Sequence, residues 1–410
     1  MMGGGLFGSF RRDATPQSPS TSGRPPVLLD TSKCVRARSR FSTCDACTRV
    51  CPTHAISLEP PSLDMDACVR CGACIAVCPA GAFRGDDGVI EIGECVARSP
   101  AASAVELACS RHPAPEEGPP GADLVICANG CLAGLGSSAY VWLLAGHADR
   151  LRVRLDACQS CRIGSLQTQI SRSIAAARSI IGDSGAQPLI AEILDNQGQD
   201  WVKRPVIEAI RQSPSRRDLF RRIAGSERAV PEGMIASQQE PSDLPEAALE
   251  RRRLVSALTV YQSVHPEYVV MGDGGLAGLV SLAIDESCQA CGACARVCPT
   301  AALVLQRTAS SYSLSFRSDL CSDCGACLTV CEPKAIRRQG IPAASVLLSA
   351  APVALRQGRL ERCEGCGAFF AVAGSGKLCN ICSERKRKPL AALESLFAPK
   401  ASDPTRDPIP

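Results

Sequence analysis

Twenty-six of the 410 residues are cysteine, and their spacing sorts them into four groups. Nine lie between Cys34 and Cys95, five between Cys109 and Cys161, eight between Cys288 and Cys331, and four between Cys363 and Cys382. Thiols in such number do one of two things: they pair as disulfides, or they ligate metal. The first residues, MMGGGLFGSFRRDATPQ, carry no apolar stretch leading to a cleavage site. The expectation is therefore a cytoplasmic protein, where structural disulfides are rare and metal ligation is the main remaining use. The spacing agrees with ligation. Cys288-x2-Cys291-x2-Cys294-x3-Cys298-Pro299 is followed by Cys321-x2-Cys324-x2-Cys327-x3-Cys331. Upstream, Cys68-x2-Cys71-x2-Cys74-x3-Cys78-Pro79 is preceded by the shorter Cys44-x2-Cys47-x3-Cys51-Pro52. The two blocks read as copies of one design, an internal repeat.

These runs resemble the bacterial two-cluster ferredoxins, in which each run gives three thiolates to one [4Fe–4S] cubane and its fourth to the other. The resemblance covers about a quarter of the chain. It implies one cubane on Cys288, Cys291, Cys294 and Cys331, and a second on Cys321, Cys324, Cys327 and Cys298. In the first block it implies Cys68, Cys71, Cys74 and Cys51 for one cubane, and Cys34, Cys44, Cys47 and Cys78 for the other. Cys34 fills a gap, since the Cys44 run is one cysteine short at the usual place. Ferredoxin-like proteins with widened first loops support that use, with residues 35–43 as an inserted loop. A three-cysteine [3Fe–4S] site is the rival. Cys331 departs from the pattern in being followed by Glu332 before Pro333. Small residues within the runs (Gly292, Ala293, Gly325, Ala326) let backbone amides approach the sulfur atoms.

Cys363-x2-Cys366-x12-Cys379-x2-Cys382 supplies two thiolate hooks, with Gly365 and Gly367 permitting the tight turn of the first. A zinc ribbon is the plainer reading, and rubredoxin-like mononuclear iron the alternative. Arg385 to Lys388 form a basic stretch that reads as solvated tail rather than as a nucleic-acid contact.

The middle group needs elements to bring it together. AVELAC ends on Cys109, ADLVIC on Cys127 and LRVRLDAC on Cys158, each an apolar run of strand length. Helix-like stretches follow Cys131 and Cys161, and strands alternating with helices predict a parallel α/β unit. Such sheets gather ligands at the carboxyl ends of their strands, so Cys109, Cys127, Cys131, Cys158 and Cys161 are expected on one rim, with His112 nearby. The open chemistries are a further iron–sulfur cluster, or a redox dithiol at Cys158 and Cys161 whose first thiolate is favoured by a helix N-terminus. Ordinary buried thiols are the plain alternative. Cys95 is left without an assigned partner. The segment weakly resembles small cysteine-containing subunits that relay electrons between hydrogenases or dehydrogenases and heterodisulfide reductases.

The expected fold class is modular α+β: two ferredoxin domains flanking a small parallel α/β domain, then a zinc ribbon. The expected organisation is a flexible tail over 1–30, ferredoxin domain 1 over 31–98 and the α/β domain over 99–200. A polar helical connector over 201–255, ferredoxin domain 2 over 256–345, a zinc ribbon or rubredoxin-like knuckle over 355–388 and a tail over 389–410 complete it. Gly272-Asp273-Gly274-Gly275 lacks phosphate-loop spacing and reads as a loop. Ser215-Arg216-Arg217 sits in mid-chain with no apolar segment behind it and reads as a helix start. A net charge of +4 is too small to argue for nucleic acid, and no apolar run reaches membrane-spanning length. The resemblance implies electron transfer through four [4Fe–4S] clusters, as the relay subunit of a complex with a dehydrogenase or hydrogenase partner. Two other readings stay open: a ferredoxin-fed thiol/disulfide reductase using the middle cysteines, and a redox-responsive regulator using the zinc ribbon.

Overall fold

The computed structural model describes residues 26–38, 42–99, 103–146, 148–182, 188–195, 201–210, 248–264, 279–372 and 376–387. Gly272 to Gly278, residues 211–247 with their arginines, and both expected tails beyond 25 and 388 lie outside these residues.

The internal repeat is visible in the backbone. In each cysteine run a five-residue helix precedes the last cysteine: Ala46–Val50, Ala73–Val77, Ala293–Val297 and Ala326–Val330. Three of these helices start from a glycine in the left-handed region, Gly72, Gly292 and Gly325, with φ of 79°, 74° and 71°. A side chain there costs roughly 1–2 kcal/mol, which explains Cys-Gly-Ala-Cys in three of the runs. The fourth has Cys44-Asp45-Ala46-Cys47, and Asp45 sits at φ −135° instead. Three residues after the last cysteine the chain turns left-handed in all four runs, at His54, Gly81, Ala301 and Lys334. Antiparallel hairpins accompany the runs, Ile56–Leu58 with Pro61–Leu63 and Leu303–Arg307 with Ser311–Phe316.

Between the ferredoxin-like units lies a five-stranded, all-parallel sheet. Its strands are β1 (Ala104–Cys109), β2 (Leu124–Ala128), β3 (Arg150–Arg154), β4 (Ile190–Ile193) and β5 (Val206–Ala209), in the order β5-β2-β1-β3-β4. Helix α1 (Ser137–Gly146) links β2 to β3, and α2 (Gln167–Ile181) links β3 to β4. Val105, Leu107, Val125, Ile126 and Val153 are fully buried, as a parallel sheet covered by helices requires. Each such burial stabilises by about 1.5–3 kcal/mol. Helix α3 (Leu249–Val264) packs along α1 and joins this same core through Leu254, Ala257 and Leu258.

Three features depart from the expected organisation. Leu28–Leu29 pairs with Phe83–Arg84, so the end of the expected tail is an edge of the first ferredoxin-like unit. Residues 202–209 are not connector: Val202–Lys203 pairs with Glu117–Gly118, and β5 is an edge of the parallel sheet. The knuckle is not separated from the second ferredoxin-like unit either. Strand Val353–Arg362 pairs with Ser311–Phe316 on one side and Phe369–Ala371 on the other, giving one continuous sheet.

Candidate iron–sulfur and metal sites

In the first unit, Cys34, Cys44, Cys47 and Cys78 come together. Burial pushes the Cys47 thiol up to about 12, with Cys78, Cys44 and Cys34 adding to the effect. Cys51, Cys68, Cys71 and Cys74 form the second group, and burial followed by the other three raises Cys74. Residues 35–43 are not loop throughout: Val35–Arg38 is a short helix, and residues 39–41 are not among those described. In the second unit, Cys288, Cys291, Cys294 and Cys331 converge, burial and the three neighbours lifting Cys294 to about 11. Cys298, Cys321, Cys324 and Cys327 converge likewise, lifting Cys327 to about 12. Each group thus takes three cysteines from one stretch and one from the other.

Backbone amides point into the sulfurs throughout. Ala55 N donates to Cys51 Sγ at 3.3 Å, Ala82 N to Cys78 Sγ at 3.2 Å and Asp323 N to Cys321 Sγ at 3.4 Å. The amide two residues on donates to Cys44, Cys71, Cys288 and Cys324, from Ala46, Ala73, Ala290 and Ala326. Grouped, half-buried thiols with amide donors aimed at their sulfurs suit the ligand sets of iron–sulfur clusters. Residues 42–82 and 287–335 each match the model of the 4Fe-4S dicluster domain. Both segments are two-cluster ferredoxin domains. Cys34 lies outside the first match. A comparison with curated proteins finds no match to the chain.

The two ferredoxin domains touch. The Arg38 Nη1 donates to the Pro299 carbonyl at 2.8 Å, and Cys324 is among the neighbours whose charge raises Cys44. No sequence pattern announced this contact; Arg38 sits in the very segment between Cys34 and Cys44 that lengthens the first run.

At the C-terminus, Cys363, Cys366, Cys379 and Cys382 have sulfur atoms all within 4.8 Å of one another, a four-thiolate metal site. Three amides act on Cys363 Sγ, including Cys379 N at 3.2 Å and Gly365 N at 3.4 Å, and they lower its pKa to about 6. A Cβ on Gly365 would lie 3.1 Å from Cys382 Sγ, a tight approach that the glycine avoids.

In the parallel domain, four of the five expected cysteines line one cavity. Cys109 ends β1, Cys131 follows β2, and Cys158 and Cys161 follow β3. Cys127 does not line it: it lies within β2, its thiol 3.4 Å from the Cys109 carbonyl. Cys95 is buried in the helix Val89–Ala97, 4.0 Å from the Glu208 carbonyl. Cys158 and Cys161 do not open a helix. They sit in and at the end of the short turn Asp156–Ser160, while α2 begins at Gln167. Burial pushes Cys158 up to about 11, opposite to the depression a reactive dithiol needs.

Beneath this cavity runs a buried ion network. Glu106, fully buried in β1, accepts from Arg154 at 3.1 Å and twice from Arg204 at 2.8 Å. Arg154 also donates to both oxygens of Asp156 at 2.8 Å and stacks 4.8 Å over Trp201. His112 Nε2 lies 3.1 Å from Asp156. Burial works against the Asp156 charge, but the Arg154 and His112 contacts outweigh it and hold the carboxyl below its ordinary range. The signal in the sequence was Glu106 itself, an acid inside an apolar strand that must find cationic partners. Among the described residues, no helix is long and apolar enough to cross a membrane.

Proposed function

We propose that the chain is an electron-relay protein carrying four [4Fe–4S] clusters in its ferredoxin domains, serving a larger cytoplasmic oxidoreductase complex. The ligand sets are Cys34, Cys44, Cys47 and Cys78; Cys51, Cys68, Cys71 and Cys74; Cys288, Cys291, Cys294 and Cys331; and Cys298, Cys321, Cys324 and Cys327. A cubane bound by four thiolates supplies a site that takes up and returns a single electron. The chain's own part is to hold the thiolates, donate amides to their sulfurs and keep water from the inner cages.

The observation carrying this reading is the order in which the cysteine groups meet. Cys47 is among the neighbours that raise Cys74, Cys324 among those that raise Cys44, and Cys294 among those that raise Cys327. Together with the Arg38–Pro299 contact between the domains, this neighbour order supports a row of four cages. Two separate ferredoxins on a string would need no Arg38 bond to Pro299. The C-terminal knuckle, continuous with the second domain's sheet, fits a structural zinc that braces that end of the chain. A dehydrogenase or hydrogenase subunit is the kind of partner such a relay serves. Iron and acid-labile sulfide analysis of the anaerobically purified full chain tests the cluster number. About 16 iron atoms belong to the ferredoxin cages, and about 12 or fewer, with the sites loaded, would refute the count.

A further inference from the structure

We propose that Cys109, Cys131, Cys158 and Cys161 hold a fifth [4Fe–4S] cluster, at the carboxyl edge of the parallel sheet and beside the first ferredoxin domain. The assignment adds to the relay proposed above but stands on its own residues.

The topology gathers the four thiols. β1 lies at the centre of the sheet between β2 and β3, so the ends of these three strands open on one rim. Cys109, Cys131, Cys158 and Cys161 all line one small cavity there, closed by Leu132, Ile163, Leu166 and Ile170. The local backbone repeats the ferredoxin arrangement. The amide two residues on, from Arg111 and from Ala133, donates to Cys109 and Cys131, as it does to Cys44, Cys71, Cys288 and Cys324.

Sulfur spacing selects the type of metal group. A single tetrahedral ion at Zn–S of about 2.3 Å draws its four sulfurs within about 4 Å of each other. Among the described residues only the C-terminal knuckle has four ligand atoms all within 4.8 Å. The middle four, which line one cavity, are not drawn together in that way, which speaks against a single ion and leaves room for a polynuclear cluster. Charge fits as well. An all-thiolate cubane is anionic, and Arg111 and Arg154 both line the cavity. Arg154 is held there by Glu106 and Asp156.

The Cys158–Cys161 turn is built to one shape. A Cβ on Gly164 would lie 2.1 Å from the Cys158 carbonyl, so only glycine allows the chain to fold back under that turn. The site also faces a neighbour. The turn Leu132–Gly134, just after Cys131, packs on the helix Ala73–Val77. Cys131 and the ligand Cys71 are thus brought side by side, placing the site at the end of the row of cages opposite Cys288 and Cys291.

The test compares iron and sulfide in the full chain with those in Cys158→Ser/Cys161→Ser, both reconstituted anaerobically with ferrous iron and sulfide. The cubane predicts about 20 iron atoms per chain, falling to about 16 in the variant, with Cys127→Ser unchanged. Mössbauer spectra should lose a fifth of their cubane intensity. Equal iron in the full chain and the variant would overturn the site, and a loss of only about two would overturn the cubane. If the double variant does not fold, about 20 against about 16 in the wild-type chain decides the matter. Failure of the relay reading looks different: the variant itself would hold far fewer than 16, whatever the difference between the two proteins.

Discussion

Replacing Glu106 with glutamine keeps the side-chain shape and removes the one charge shared by Arg154 and Arg204. Glu106 and Arg154 are fully buried, and the Arg204 side chain is 5% exposed. Glutamine offers a single acceptor oxygen, and its amide group turns donors toward the guanidinium donors. Arg154 keeps Asp156, but Arg204 keeps at most one of its two 2.8 Å bonds, and that one to a neutral oxygen, so its charge is left without a counter-ion. A charge-assisted bond contributes about 1.5–3 kcal/mol net, and stranding one member of a buried pair costs about 3–5 kcal/mol. The lower end of that range applies if Arg204 swings out to solvent, the upper end if it stays. The expected cost is therefore about 3–5 kcal/mol, a fall in the unfolding midpoint of roughly 10 °C or more. Thermal unfolding by far-UV circular dichroism, scanned at one fixed rate, reads it. The double variant Glu106→Gln/Arg204→Gln should recover part of the loss, because the stranded cation is gone. A loss below about 1 kcal/mol in the single variant, or strictly additive effects in the double, would refute the reasoning.

Other outcomes follow from the same structure. Gly164→Ala should cost roughly 1–3 kcal/mol by forcing the Cys158 turn outward, and should lower iron by about four atoms while the ferredoxin EPR signals persist. Gly292→Ala should destabilise by about 1–2 kcal/mol through its left-handed backbone, whereas Asp45→Ala, at φ −135°, should not, a contrast read from paired thermal melts. Chelating the knuckle metal should unravel Asn380–Arg387 and Phe369–Ala371 without releasing ferredoxin iron, seen as lost helix signal with constant cluster absorbance.

Much of this was legible before the fold. Thiolate spacing alone located both ferredoxin domains, the segments that match the 4Fe-4S dicluster model. Strand-length apolar runs ending on Cys109, Cys127 and Cys158 located β1, β2 and β3 of the parallel sheet. What was not legible came from long-range pairing. VIEA at 206–209 is too short and too polar in context to announce itself as a sheet edge, and only the partner β2 makes it one. Likewise the strand Val353–Arg362 depends on its pairing with Ser311–Phe316, from Phe316↔Val353 to Ser311↔Arg359, far away in sequence. Cys127 ends an apolar run, but the strand continues to Ala128, and the Cys127 thiol lies against the Cys109 carbonyl rather than in the cavity.

The central claim is that the two ferredoxin domains form one path, joined where Cys44 meets Cys324. EPR of the fully reduced chain, compared with Cys321→Ser/Cys327→Ser, tests it most directly. Removing the inner cluster of the second domain should alter the line shape and relaxation of the inner cluster of the first. A first-domain signal identical in both proteins would contradict the account.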